Sequence, residues 1–221
     1  MTNQRHPLST YADWVAGEAI RKSPGVCVET WIEHWGRVFG GMVSVSSMYE
    51  LVALIGARIE FLGGLHRGTE GDTGCEDFIA YCNDFLVHVQ PRYGALHCLT
   101  DRSSGNGSDF FTMFRNRSLH GMTPAATAFA NNSEVIAWWV GYAPDVPETE
   151  HLLVDSHGRL QVDLERLREE LLASMQRFVS HLKANSQSVR GFQRALWFRY
   201  LPRHLPRSMW EAAGVALGLP I

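Results

Sequence analysis

Long apolar runs, paired cysteine motifs and an excess of either charge are all missing from this sequence. Arg58 and Glu60 interrupt the longest apolar candidate, which therefore falls short of the ~20 apolar residues that span a bilayer. Residues 1–10 contain no apolar run after their basic residue and do not resemble a signal peptide. These absences predict a cytoplasmic protein that makes no membrane contact.

Cysteine is scarce, and its spacing fits neither a disulfide framework nor a CxxC motif. The four cysteines are Cys27, Cys75, Cys82 and Cys98. Cys75 and Cys82 lie two helical turns apart, and His88, His97 and Cys98 follow as further candidate metal ligands. Because structural zinc sites have tighter paired spacing, we favour reduced, buried thiols and predict no metal and no cofactor.

The charges are nearly balanced, with 20 Lys and Arg residues against 23 Asp and Glu. This balance argues against a surface that binds nucleic acid over its whole area, and the 45% hydrophobic content argues against disorder. The chain can therefore build a sizeable core. An anionic partner would have to meet a local basic patch.

The first helix predicted with a clear apolar stripe runs from Met48 to Leu62. Its apolar residues recur at helical spacing, and Ser47 with Glu50 three residues later fits a capping box. Gly63-Gly64 is expected to end this helix. Residues 68–74 are then expected to form a loop.

Two more helices are predicted before the middle of the chain. An apolar stripe from Phe78 to Val89 ends before Pro91. After the turn-forming residues 103–108, a helix capped by Ser108 or Asp109 continues through Leu119.

A small antiparallel sheet is predicted as an insertion at about residues 134–162. Its candidate strands are Ile136–Tyr142, His151–Asp155 and Leu160–Val162. From Asp163 onward, apolar residues through Leu182 predict the longest amphipathic helix of the chain. The predicted fold is thus mainly α, a helical domain over residues 1–187 with this β insertion.

A basic, aromatic helical tail over residues 188–221 is predicted to pack on that domain. From Ser188 to Arg207 there is no acidic residue, and aromatic side chains alternate with arginines at positions 190, 194, 199, 203 and 207. Such a tail can hold a phosphate backbone, settle at a membrane surface, or pack its aromatics inward and leave its arginines in water. We favour packing, and predict that Arg190 and Arg194 also contact substrate.

The segment Phe114–Gly121 carries the residues best suited to chemistry. An imidazole titrates near neutral pH, so His120 suits the base that takes a proton from a ribose 2′-hydroxyl. The guanidinium of Arg115 suits the negative phosphorane that follows. Asn116 lies four residues before His120 and can orient its ring, while Arg117 can steer the phosphate.

One copy of this segment makes a loose site, because Arg115 and His120 are five residues apart on a helix. Two copies facing each other across a two-fold axis would bring two arginines and two histidines into one cleft. The spacing therefore favours a homodimer.

Arg115-Asn116, three further residues and then His120, late in a helix that follows two amphipathic helices, resembles the signature of HEPN-domain proteins. Phe114 and Gly121 also suit that pattern. The resemblance, over roughly residues 46–124 with the helix 163–185 as the last member of the bundle, implies an α-helical bundle that dimerises through the signature helix. It also implies a metal-independent RNA endonuclease site, as found in toxin–antitoxin, phage-defence and RNA-processing systems.

Two other interpretations of the same segment stay open. In one, a HEPN-like dimer without catalytic activity binds a nucleotide, an RNA or a protein partner as a regulator. In the other, Arg115 and Arg117 lie on a solvated face, Asn116 bonds locally and His120 stabilises a helix end.

Overall fold

Helices dominate the part of the chain that the structure describes. The computed structural model describes residues 48–95, 127–128, 135–141, 145–153, 155–157, 159–185, 187–188, 191–192 and 195. Three α-helices and three short strands lie in these ranges: α1 (Met48–Arg67), α2 (Cys75–Tyr81), β1 (Thr127–Ala128), β2 (Val135–Gly141), β3 (Arg159–Asp163) and α3 (Leu164–Ala184). The prediction of a mainly helical protein is confirmed at this level. Within these ranges, no helix is both long and apolar enough to cross a membrane.

Helix α1 continues through Gly63-Gly64, so the prediction that it ends there is wrong. At Gly63 a β-carbon would lie 1.8 Å from the backbone oxygen of Asp77. The glycine therefore allows α1 and α2 to approach at backbone distance. Helix α1 ends instead at Arg67, and the next residue, Gly68, has a φ of +70°, the left-handed conformation typical of a glycine that follows a helix. The Thr69 N–H donates to the carbonyl oxygen of Gly64 at 2.8 Å and closes the end.

The second apolar stripe forms α2 and then a π-helical turn, Cys82–Leu86. In that turn the Val87 N–H donates to the carbonyl oxygen of Cys82 at 2.9 Å. The predicted end before Pro91 is confirmed, and a 3-10 turn, Pro91–Ala95, follows. The predicted helix through Leu119 lies outside the described residues, as does Ser47 of the predicted capping box.

Helix α3 forms where its apolar periodicity predicts. Asp163 is its N-cap, and the carboxylate accepts the Glu165 N–H at 3.0 Å. The helix buries one face against α1 and the π-helical turn. That face consists of Leu164, Leu167, Glu170, Leu171, Ser174, Met175, Phe178 and Leu182.

One apolar core joins α1, α2, the π-helical turn and α3. Phe178 of α3 contacts Phe85 edge-on, with ring centroids 5.1 Å apart. Phe192 and Ala195, from the predicted tail, are also fully buried in this core. The tail is therefore packed on the helices at these two positions.

The sheet differs from the antiparallel arrangement predicted for it. β1 pairs antiparallel with β2, but β2 pairs parallel with β3, with Trp138 opposite Leu160. Residues 142–158 separate β2 from β3, which is long enough for a crossover connection, whereas a hairpin would need a short turn. The strand predicted at His151–Asp155 is absent from its described residues, because Leu152 has a φ of +61° that an extended strand does not accommodate.

Asp155 organises the turn that precedes β3. Its carboxylate accepts the backbone N–H groups of His157 and Arg159 at 2.8 and 2.9 Å, and the Gln161 side-chain amide at 2.7 Å. The Arg159 guanidinium also donates to it at 2.8 Å. Burial acts to raise the pKa of Asp155, but the hydrogen bonds and charge of Arg159, with the His157 N–H, outweigh it and hold that pKa below its ordinary value.

We predict that Gly63→Ala destabilises the protein by about 1–3 kcal/mol, because the added methyl overlaps backbone. Helix propensity alone would favour alanine by about 1 kcal/mol. The steric overlap and the helix propensity therefore predict opposite changes in the free energy of unfolding. Urea unfolding monitored by circular dichroism measures the change. Gly74→Ala is the control, since its β-carbon would meet nothing within 4 Å. Equal or higher stability of Gly63→Ala would contradict the close approach.

We predict that Asp155→Asn lowers stability at pH 7 and that the deficit shrinks in acid. A carboxyl whose folded pKa is depressed stabilises the fold above its unfolded pKa, about 3.9, and loses that contribution as the pH falls through the folded pKa. Urea unfolding of both proteins from pH 7 to pH 3 tests this. A deficit that stays constant over this range would show that the charge of Asp155 is not involved.

Candidate functional site

The residues predicted to carry the chemistry lie outside the described part of the structure. This applies to Arg115, Asn116, Arg117 and His120 of the central segment and to Arg190 and Arg194 of the tail. What the structure describes is the helical core and the start of the tail, together with three polar clusters. Two of these clusters contain histidines that the sequence left without a role.

The start of the tail lies against the ends of α1 and α3. A β-carbon built at Gly68 would be 3.2 Å from the α-carbon of Gly191, so the two backbones nearly touch. Phe192 packs on Phe178 with ring centroids 6.0 Å apart. Arg190 and Arg194 therefore lie two positions before and two positions after Phe192, which packs on the helices.

The first cluster, which we call the two-histidine cluster, consists of His66, Asp84, His181 and Ser188. His66 Nε2 lies 2.7 Å from Asp84 Oδ2, and the His181 ring lies edge-on to His66 with centroids 5.6 Å apart. His181 Nε2 and Ser188 Oγ are 3.0 Å apart. The cluster therefore joins the last turns of α1 and α3 to the π-helical turn and to the start of the tail.

The chemistry open to His66 in this cluster is limited by its surroundings. Its Nε2 is occupied by Asp84, and its Nδ1 is buried without a hydrogen-bond partner among the residues that the structure describes. Phe85 and Phe178 both lie edge-on to the ring. His66 thus presents no open nitrogen for proton transfer to a substrate, and its contacts describe a packing role.

The second cluster is a buried network of Tyr93, His151 and Glu170. Glu170 Oε2 accepts the Tyr93 hydroxyl at 2.8 Å and lies 3.1 Å from His151 Nε2. Tyr93 and His151 are fully buried, and the Glu170 side chain is 10% exposed. Arg92 donates to the carbonyl oxygens of His151 and Thr149 at 2.7 and 3.0 Å, which fixes the segment that carries the imidazole.

The backbone decides the tautomer of His151. The Asp163 N–H donates to His151 Nδ1 at 2.9 Å, so Nδ1 carries no proton. The hydrogen of the neutral ring is therefore on Nε2 and is donated to Glu170. Both ring nitrogens are used inside the protein, and the network fixes structure without offering a base to a substrate.

The third cluster surrounds Asp77 at the junction of α1 and α2. Its carboxylate accepts the Thr69 hydroxyl at 2.7 Å, the Gly74 N–H at 3.0 Å and the Arg67 guanidinium at 3.2 Å. Asp77 is 3% exposed, and three donors compensate its lost hydration. The Asp77 carboxylate therefore bonds to groups within the protein, as the His151 ring does.

Two of the four cysteines, Cys75 and Cys82, lie in the described ranges. Cys82 is buried in the core and Cys75 is half-buried. Among the residues that the structure describes, no group of three or more His, Cys, Asp or Glu side chains is arranged to hold a metal ion. His97 and Cys98, considered as ligands from their spacing, lie outside the described residues.

Sequence reasoning missed the roles of His66, His151 and His181. Each pairs with a residue from another segment, and the partners of His66 and His151 are 18 and 19 positions away. Local spacing rules detect partners three or four residues apart on a helix, so they do not find these pairs. His157, by contrast, is exposed.

We predict that Tyr93→Phe destabilises the protein more than Tyr81→Phe does. Tyr93 donates to a buried carboxylate, and such a bond contributes about 1.5–3 kcal/mol. Ser174 donates its own proton to the Leu171 carbonyl, so the Tyr81 hydroxyl donates to Ser174 Oγ, a neutral bond of about 0.5–1.5 kcal/mol. Burial raises the pKa of Tyr81, which keeps it a donor. Urea unfolding measures the loss of stability in each variant. A larger loss for Tyr81→Phe than for Tyr93→Phe would contradict the bond from Tyr93 to a charged Glu170.

Three comparisons, with protein families, with curated proteins and with solved structures, find no match to this chain.

Proposed function

We propose that this protein is a metal-independent RNA endonuclease of the HEPN type. The observation that carries the proposal is the segment Phe114–Gly121, in which Arg115-Asn116 is followed by His120 after three residues. A base that titrates near neutral pH and a fixed cation are the two groups that RNA cleavage without a metal requires.

The proposed reaction divides these roles among named residues. His120 removes the proton from a ribose 2′-hydroxyl, and the 2′-oxygen attacks the adjacent phosphorus. The bond from phosphorus to the 5′-oxygen then breaks, and that oxygen takes up a proton from water. The products are a 2′,3′-cyclic phosphate and a free 5′-hydroxyl.

Five further residues support the reaction. Arg115 holds the charge of the phosphorane, because its guanidinium presents two parallel donors to phosphate oxygens. Asn116 orients the His120 ring from one helical turn away. Arg117, Arg190 and Arg194 bind the phosphate backbone on either side of the cleavage point.

A homodimer completes this site in the proposal. Five residues of a regular helix turn the direction of a side chain by about 140°, so Arg115 and His120 of one copy point to different faces. Pairing two copies around a two-fold axis supplies each histidine with an arginine from the partner.

The described core supports the proposal in one respect. Helices α1, α2 and α3 share one apolar core with the π-helical turn. A helical core of this kind is the architecture that the resemblance to HEPN-domain proteins implies. The parallel strand pair is an addition to that architecture.

We predict that the purified protein cleaves single-stranded RNA in the presence of a chelator, and that His120→Ala and Arg115→Ala each lower the rate by at least 100-fold. General-base catalysis alone contributes about 10²–10⁴-fold. End-labelled RNA resolved on denaturing gels gives the rate. Mass spectrometry of the fragments identifies the cyclic phosphate ends.

Matched controls separate loss of chemistry from loss of structure. His157 and Arg177 are exposed, so His157→Ala and Arg177→Ala should cleave like the wild type. Sedimentation should find the same dimer in all five proteins. If RNA, in a broad panel, is bound by wild type and His120→Ala alike but is cleaved by neither, the protein is a non-catalytic RNA-binding regulator. If RNA is neither bound nor cleaved, the proposal fails.

A further inference from the structure

The buried histidine of the second cluster lies where a segment of chain is fastened to the start of α3. Asp163 ends β3 and caps α3, and its N–H donates to His151 Nδ1 at 2.9 Å. Leu152, the next residue after His151, donates its N–H to the Gln161 carbonyl at 2.7 Å. His151 therefore ties residues 149–153 to the junction of β3 and α3.

This fastening depends on His151 being neutral. A second ring proton would have to sit on Nδ1, because Nε2 already carries one. The Nδ1–H and the Asp163 N–H would then be two donors facing each other across 2.9 Å. Protonation of His151 and the bond to Asp163 are thus mutually exclusive.

The ionisable groups around the ring determine how the protonated form is accommodated. Glu170 of α3 faces Nε2, and its carboxylate attracts the imidazolium. The Asp163 carboxylate is turned to the α3 N-terminus, where it accepts the Glu165 N–H. From the 3-10 turn, Tyr93 donates to Glu170 and Arg92 donates to the carbonyl oxygens of Thr149 and His151.

The added proton affects the two hydrogen bonds of the His151 ring differently. The bond from Nε2–H to Glu170 survives protonation and gains charge attraction, while the bond at Nδ1 is lost. The ring therefore stays with Glu170 and separates from Asp163. Because Asp163 belongs to both β3 and α3, the opening falls at their junction.

We infer that His151 is a proton-sensitive latch, which bonds residues 149–153 to the Asp163 N–H at the β3–α3 junction when neutral and loses that bond when protonated. The inference rests on the hydrogen bonds of the described residues and is independent of the ribonuclease proposal.

Hydrogen exchange of single backbone amides, followed by NMR at pH 7 to pH 5, tests the latch. If one proton is bound per opening, the protection factor of the Asp163 amide falls by up to about tenfold per pH unit in this range. The Leu171 amide, in the buried middle of α3, reports global unfolding and should stay more protected than the Asp163 amide at each pH. Nitrogen-15 shifts of the His151 ring should show the Nε2–H tautomer at pH 7 and the imidazolium as protection is lost.

Two variants complete the test. His151→Gln keeps a polar side chain that does not titrate, so its Asp163 protection should not follow pH. His157→Gln changes an exposed histidine and should behave like the wild type.

Three outcomes would overturn the latch. The first is a ring that becomes imidazolium while Asp163 protection is unchanged. The second is equal protection of the Asp163 and Leu171 amides at every pH, which would mean that Asp163 exchanges only through global unfolding. The third is the same pH dependence in His151→Gln as in wild type. The first two are read from the wild-type protein alone, so the test does not depend on the variant folding.

Discussion

The described fold depends on the contact between α1 and α2 at Gly63 and Asp77. The backbone of α2 reaches α1 where a methyl group would overlap it, and the Asp77 side chain then gathers donors from the end of α1, the following loop and the start of α2. A buried carboxylate is costly unless its oxygens are satisfied. Here the same three bonds that satisfy Asp77 also fix the turn, so one residue holds the start of α2 against the end of α1.

Polar groups inside the core fix orientation, while apolar contacts supply the driving force. Tyr81 and Tyr93 reach Ser174 and Glu170 on the same helix, α3, one turn apart. Leucine and phenylalanine contacts alone would tolerate a rotation or slide of α3, because they are not directional. Two hydroxyl groups with defined partners remove that freedom.

How much of the fold follows from the sequence depends on where each signal comes from. Helix α3 was predictable, because its periodicity and its Asp163 cap are both local. The end of α1 was not, because Gly63 reads locally as a helix stop and acts as a contact point only against α2. The direction of β3 relative to β2 could not be predicted either, since the alternation of apolar and polar residues that marks a strand is the same in parallel and antiparallel pairs.

The polar residues also divide into those whose role local sequence predicts and those whose pairing depends on the fold. His151 and Glu170 meet from different segments, so no spacing rule links them before the fold is known. The segment with Arg115 and His120 is the opposite case. Its chemistry can be inferred from residue types five positions apart in the sequence, but its geometry depends on residues outside the described ranges. The proposed ribonuclease site therefore stays a prediction from sequence.

The core joins parts of the chain that are synthesised far apart in time. Helix α1 is complete at Arg67, but its partner α3 begins only at Leu164, and Phe192 enters the same core later still. At ribosomal rates of about 5–20 residues per second, α1 waits roughly 5–20 s for α3. During that interval its apolar face has only α2 and the π-helical turn, of the elements described here, to cover it. An apolar helical face of this kind, exposed for seconds during synthesis, is the surface that makes a partly folded chain prone to aggregation.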